Sequence, residues 1–283
     1  MARRVTAGSP QGNSPAGAVE AATVDSDGLP DRCLSFTVES DWGHFRRIDR
    51  TVTKQTYRVP PRTTIAGMVA AIAGVHRDGY YDTFADSVSA VAIEVLREPR
   101  TVTEPSLGLG TNPNETMDSA GGTGRKTVKV SFPDSTDNRQ IHSYELLVNP
   151  AYRVDVAVED AEFYGALKQH LERGTSYYPP SMGLSEFLAW ITYHGEFDVE
   201  PVESDGPVSI ESAVPDGIDA AVPTAGTSYA VERVPGYMEA TGDGRRTTGY
   251  VDFAFAPEPH EDVQIVPEMI APARVDGRTV VFS

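Results

Sequence analysis

Between His44 and Arg62 the chain sets Arg46, Arg47, Arg50, Lys54, Arg58 and Arg62 against a single carboxylate, Asp49. That segment carries a net +5 inside a protein whose formal charge is −17. An acidic chain that concentrates cations in one place is built to hold an anion there. Phe45 and Tyr57 interleave with the arginines, and Trp42 stands just upstream. Aromatic faces beside planar guanidinium groups are the mixture that grips single-stranded nucleic acid, each stacked base contributing about 1 to 3 kcal/mol. The bland alternative is a solvated basic loop whose cations pair with carboxylates elsewhere. The segment feeds Pro60-Pro61-Arg62-Thr63-Thr64, the expected start of a helix whose free N–H groups favour a phosphate.

Other motifs fail on their chemistry. Gly121-Gly122-Thr123-Gly124-Arg125-Lys126-Thr127 has Arg125 where a phosphate-binding loop needs glycine before its lysine, and no apolar strand leads into it. Gly183-Leu184-Ser185 lacks the closing glycine of a nucleophile elbow, since Phe187 stands there. The six histidines show no metalloprotease spacing, and Cys33, the lone cysteine, excludes an internal disulfide and a CxxC metal site. No metal or cofactor is expected. Asn114-Glu115-Thr116 matches a glycosylation sequon, but the Gly-, Ser- and Ala-rich start has no apolar run of a secretion signal.

The elements that must position the basic segment follow from periodicity. With 40% hydrophobic residues, the 283-residue chain can fill a core, and no apolar stretch reaches the roughly 18 residues of a membrane span. Residues 1–30 lack periodicity and read as a disordered leader. Leu34, Phe36 and Val38 alternate as a strand, and Ile65, Met68, Val69 and Ile72 form the stripe of a helix capped by Thr63 or Thr64 and stopped by Gly74. Val91, Ile93 and Val95 give a second strand; Tyr144–Val148 with Val154, Val156 and Val158 give a third, bent or split at Asn149-Pro150. Asp160 caps a second helix bearing Phe163, Leu167 and Leu171, with Gly174 at its end. Phe187–Ile191 with Phe197 and Val199 give a fourth strand. This β-α-β-β-α-β order predicts an α+β, ferredoxin-like (RNA-recognition-like) domain over 31–202. An insertion over about 97–142, rich in Gly, Thr, Pro and Asn, interrupts it, with Lys126–Phe132 as one arm of a protruding hairpin. Residues 203–283 turn β-rich, with strands near Val208–Val214, Tyr229–Val234, Gly249–Phe255 and Val263–Val266 and a hairpin turn at Asp243-Gly244.

Two landmarks carry a resemblance. His44-Phe45-Arg46, Thr56-Tyr57, Pro60-Pro61-Arg62-Thr63-Thr64-Ile65-Ala66-Gly67 and Ala70-Ala71-Ile72-Ala73-Gly74 come first, and Tyr178-Pro179-Pro180 with Gly183-Leu184-Ser185-Glu186-Phe187-Leu188-Ala189 follows. Together these resemble the Cas-five family of CRISPR-associated RAMP proteins, most like its type I-B branch. Agreement runs from about Cys33 to Trp190.

The resemblance implies a non-catalytic RNA-binding subunit of a type I Cascade complex in antiviral defence. Such a subunit holds the 5′ handle of the crRNA, anchors the backbone and large subunits, and meets target DNA through the complex. The insertion would be its thumb. The RNA-binding residues expected on this basis are His44, Phe45, Arg46, Arg47, Lys54, Tyr57, Arg62 and Thr63, with Arg125, Lys126 and Lys129 on the thumb. A second reading stays open, a metal-independent endoribonuclease processing CRISPR repeat RNA, because the type I-C branch cuts with Tyr, Lys and His, and Tyr57, Lys54 and His44 are present. A third is an interaction module without RNA. The expected setting is cytoplasmic with no membrane partner, and only Lys54, Lys126, Lys129 and Lys168 are lysines among 24 cations, the acid-rich and Lys-poor balance of a halophilic protein.

Overall fold

The computed structural model describes residues 3–7, 20–47, 53–109, 139–241, 244–267 and 270–283. Arg125, Lys126 and Lys129, the arm at Lys126–Phe132 and Asp243 lie outside them. Two helices, α1 (Arg62–Ala73) and α2 (Ala161–Arg173), pack against a six-stranded sheet. Its order is Thr175–Ser176, Arg3–Ala7, Trp190–Asp198, Arg32–Glu39, Ala151–Val158, Ser89–Val95. The last four strands are antiparallel to their neighbours, with α1 and α2 lying in the connections between them.

Alternation along Arg32–Glu39 decides which side chains enter the core. Leu34, Phe36 and Val38 are fully buried and share one cluster with Ile65, Val69 and Ile72 of α1 and Leu167 and Leu171 of α2. Asp160 caps α2 through the amides of Glu162 and Phe163, and Gly174 ends it at φ +66°, as expected. The cap of α1 differs. Pro61 occupies it, and no side chain bonds the free amides, so neither Thr63 nor Thr64 serves.

The leader is partly structured, against expectation. Arg3–Ala7 adds a strand between Trp190–Asp198 and Thr175–Ser176, Ala22 is buried, and Val24 bridges Pro30. The sheet edge left by Trp190–Asp198 offers unpaired backbone groups, which recruit a strand from a segment without periodicity of its own. One further boundary moves, and one expected break is found. The fourth strand is Trp190–Asp198, while Phe187–Ala189 closes a turn through Met182 N–H to the Phe187 carbonyl and Ala189 N–H to the Pro180 carbonyl. The third strand divides at Asn149 (φ +49°) and Pro150, so that Arg139–Val148 pairs with Thr101–Leu109 as the base of the inserted arm.

The C-terminal strands share the main core, since Val234, Phe253, Phe255, Val275 and Val280 belong to the same cluster as Phe36, and they also enclose a smaller cluster of Ile210, Val214, Val263, Ile265 and Val281. The long hairpin of Ala230–Thr241 and Gly244–Phe255 packs on α1. A second hairpin, Pro272–Val275 with Arg278–Val281, was not foreseen from sequence. It carries Arg278, which binds both oxygens of the buried Asp155 at 2.7 and 2.9 Å and also Glu94 at 3.0 Å. Arg153 completes this network through Ser35 and Asp276. The sheet face opposite the helices therefore carries a charge network centred on Arg278 and Asp155, with Trp190 half-buried opposite Glu39 at its margin.

Candidate nucleic-acid interface

The basic segment folds as short pairings rather than a loop. Trp42–Gly43 joins Leu147 and Val148, Phe45–Arg46 pairs with Thr56–Tyr57, and Thr53–Lys54 runs parallel to Ser143–Tyr144. These pairings sort the expected site residues into three groups. Arg46 and Arg47 are exposed, Lys54 and Thr63 are half-buried, and His44, Phe45, Tyr57 and Arg62 are in the interior.

The buried set corrects the sequence reading. Phe45 sits 6.0 Å from the Tyr152 ring and is 1% exposed, and Tyr57 shares that core, so neither offers a face to a base. Pairing Phe45 with Tyr57 turns both rings inward together. Arg62 is wholly buried. It donates to the carbonyls of Phe84 (2.7 Å), Ser89 (3.1 Å) and Ser283 (3.0 Å) and to Ser89 Oγ (2.7 Å), with Tyr237 stacked 4.6 Å from its guanidinium. Those converging acceptors need a multidentate donor, which explains an arginine where a surface cation was expected. Arg58 is likewise committed. Its amide, its Nε and the amide of Val59 all bond the buried Glu232 carboxylate.

His44 is 1% exposed, its ring edge-on to Tyr144 at 5.3 Å and its Nδ1 2.8 Å from the Glu145 carbonyl. Burial lowers its pKa from 6.5. The stability gained by keeping it neutral is therefore complete above about pH 6.5 and is lost as pH falls below that value, where the unfolded chain binds the proton first. Thermal melts from about pH 7.5 to about 5.5 should show a steeper loss for the parent than for His44→Gln. Equal slopes would mean that His44 does not contribute.

What the fold brings together is a groove of about 510 Å³. Thr63, Thr64, Gly67, Met68 and Ala71 of α1 line it, with His44 and Phe45 at its margin, Arg46, the Pro179–Leu184 turn, Tyr80, and Met238 and Arg245 of the long hairpin. Thr63, Thr64, Gly67 and Ala71 set small side chains along that stripe of α1, and the amides of Arg62 and Thr63 have no side-chain cap, while those of Thr64 and Ile65 bond the Pro61 carbonyl at 2.8 and 3.1 Å. The turn is pinned in place: His44 N–H donates to the Met182 carbonyl at 3.0 Å, and Gly183, at φ +92°, lies so close that a Cβ would stand 2.0 Å from the His44 oxygen. The two sequence landmarks thus meet at one point.

Arg245 was missed, because it lies far along the chain from the basic segment and no local pattern marks it. It neighbours Tyr81, whose phenol is pushed up to about 12 by burial first and then by its hydrogen bond to Asp78, with Arg245 opposing. Arg46, Arg245 and the helix N-terminus together give three independent donors to an anion, two of them charged. Among the described residues, no group of three or more His, Cys, Asp and Glu side chains could hold a metal ion, and no helix is long and apolar enough to cross a membrane.

Fold and groove define an α+β protein with two arginines and a helix N-terminus at one cleft. The family model for CRISPR-associated protein (Cas_Cas5) matches residues 33–177, just over half of the chain, and the chain belongs to that family. No curated protein sequence matches it. Among solved structures it is similar to a chain of a CRISPR RNA-guided surveillance complex, at 15% identity over 82% of this chain and 91% of that chain, TM-score 0.45. It is also similar to a chain of the type III-B Cmr-beta complex bound to cognate target RNA and AMPPnP, at 11% identity over 81% and 86%, TM-score 0.42. A structure described as a CRISPR-associated protein gives 11% identity over 89% and 93%, TM-score 0.36.

Proposed function

We propose that this protein is the non-catalytic subunit of a type I Cascade complex, most like type I-B, that holds the 5′ handle of the crRNA and anchors the backbone and large subunits. The observation that carries the reading is the groove in which Arg46, Arg245 and the N-terminal turn of α1 converge. Family membership supports an RNA-guided complex as the setting, and the strand order with two crossover helices supports a ferredoxin-like domain. The shortage of lysine supports a halophilic origin, in which guanidinium forks retain phosphate geometry after salt has screened simple charge attraction. Burial of His44 and Tyr57 supports the non-catalytic reading over the nuclease, which needs those groups at a scissile phosphate.

Filter binding of a single-stranded RNA of CRISPR-repeat sequence tests this. Arg46→Ala and Arg245→Ala should each weaken binding about tenfold and make the dependence of log affinity on log salt shallower by about one unit. Melting temperature should not change, since both side chains are exposed. Undiminished affinity in the double variant would place the RNA elsewhere, and cleavage of the same RNA in EDTA would overturn the non-catalytic assignment.

A further inference from the structure

Tyr177 and Tyr178 are 45% and 38% exposed, an adjacent pair of rings on the surface, where Trp42 and Tyr250 are exposed singly. They are held rigidly. The amides of Tyr177 and Tyr178 donate to the carbonyls of Ile72 and Ala71, at 3.1 and 2.9 Å, and so satisfy two acceptors that the end of α1 leaves open. Gly74, at φ +90°, lets the Tyr177 ring lie against the helix end, where a Cβ would meet it at 2.9 Å. The rings stand edge to face at 4.7 Å, and the Tyr178 hydroxyl lies 3.4 Å from His76 Nδ1.

The pair is continuous with the groove. Pro179, the next residue, lines it, as does Ala71, whose carbonyl holds the Tyr178 amide. From Thr63 to Ala71 the helix advances about 12 Å, so a strand bound at the N-terminal turn and lying along the small-residue stripe reaches the tyrosines at the far end. We infer that Tyr177 and Tyr178 form a stacking platform for an unpaired nucleobase of the RNA strand leaving the groove at the C-terminal end of α1. The inference rests on the proposed RNA-binding function. An aromatic face accepts any base without hydrogen-bond readout, and pre-ordering both rings on a helix end removes the entropy cost of fixing them on binding.

The test uses the full chain and single-stranded RNA of CRISPR-repeat sequence carrying 2-aminopurine at successive positions. Stacking on the platform should quench the probe at one position, and the Tyr177→Ala, Tyr178→Ala double variant should abolish that quench and weaken affinity about tenfold or more. Phe at both positions should preserve both signals, and melting temperatures should stay close to the parent's. Unchanged affinity and an unchanged quench profile in the Ala variant would overturn the platform while leaving the groove intact, provided Arg46→Ala still weakens binding. Failure of the parent to bind would instead overturn the functional reading itself. Loss of a protein partner's binding in the Ala variant, with RNA affinity unchanged, would reassign the pair to a protein contact.

Discussion

Gly183→Ala should cost roughly 3 to 5 kcal/mol of stability and lower the melting temperature by about 10 °C. The cause is geometric. An added Cβ would stand 2.0 Å from the carbonyl oxygen of His44 and 2.8 Å from its carbon, and both are backbone atoms that no rotamer change can move. Relief requires the Pro179–Leu184 turn to lift from the His44 strand, breaking the His44 N–H to Met182 carbonyl bond and opening one side of the groove. A φ of +92° adds a penalty of about 1 kcal/mol for any residue with a Cβ. Gly226 separates the two contributions, because its φ is +93° but nothing lies within 4 Å of an added Cβ. Gly226→Ala should therefore cost about 1 kcal/mol and leave RNA binding unchanged. If denaturant melts put the two variants within 1 kcal/mol of each other, the contact with His44 is not what constrains Gly183.

Arg62→Ala should destabilise the fold by about 4 kcal/mol or more. The substitution removes the donor to the carbonyls of Phe84 and Ser89 in the interior, each unsatisfied buried acceptor costing about 1 to 3 kcal/mol, while the Ser283 carbonyl keeps the Val91 N–H and the Ser89 hydroxyl keeps the Ala85 carbonyl. It also removes the cation stacked on Tyr237, whose hydroxyl in turn donates to Asp86, so the packing of α1 against the 84–89 segment loosens as a unit. Arg62→Lys should recover only part of the loss, since one ammonium cannot reach acceptors spread across a planar fork. The readout that distinguishes this residue from Arg46 is the pairing of two measurements. Arg62→Ala should lower the melting temperature while the folded fraction binds RNA normally, whereas Arg46→Ala should do the reverse. A variant at position 62 that melts like the parent but loses RNA would restore Arg62 to the binding surface.

These contrasts mark what a linear reading can reach. Apolar alternation in Leu34, Phe36 and Val38, the stripe Ile65, Met68, Val69 and Ile72, the Asp160 cap and the glycines at 74 and 174 depend on residues within a few positions of one another. Local pattern therefore sufficed for the two helices and for the central strands beside them. It also sufficed for the position of the basic segment and for the glycine turn that meets it.

Side-chain exposure in that segment did not follow from local pattern. Arg46 and Arg62 look alike as letters, and they separate only because one faces a groove and the other meets three carbonyls, one of them contributed by Ser283 at the far end of the chain. Arg58 was removed from the cationic surface by Glu232, and Arg245 was added to it by a hairpin that packs on α1. Both depend on contacts spanning more than 150 residues, whose geometry is set by how the C-terminal strands share one core with the central sheet. The sequence by itself determined the elements and the charge available to hold an anion. Tertiary structure alone decided which cations are free to do so, because the burial and pairing of a charge depend on neighbours that only folding brings within a few ångströms.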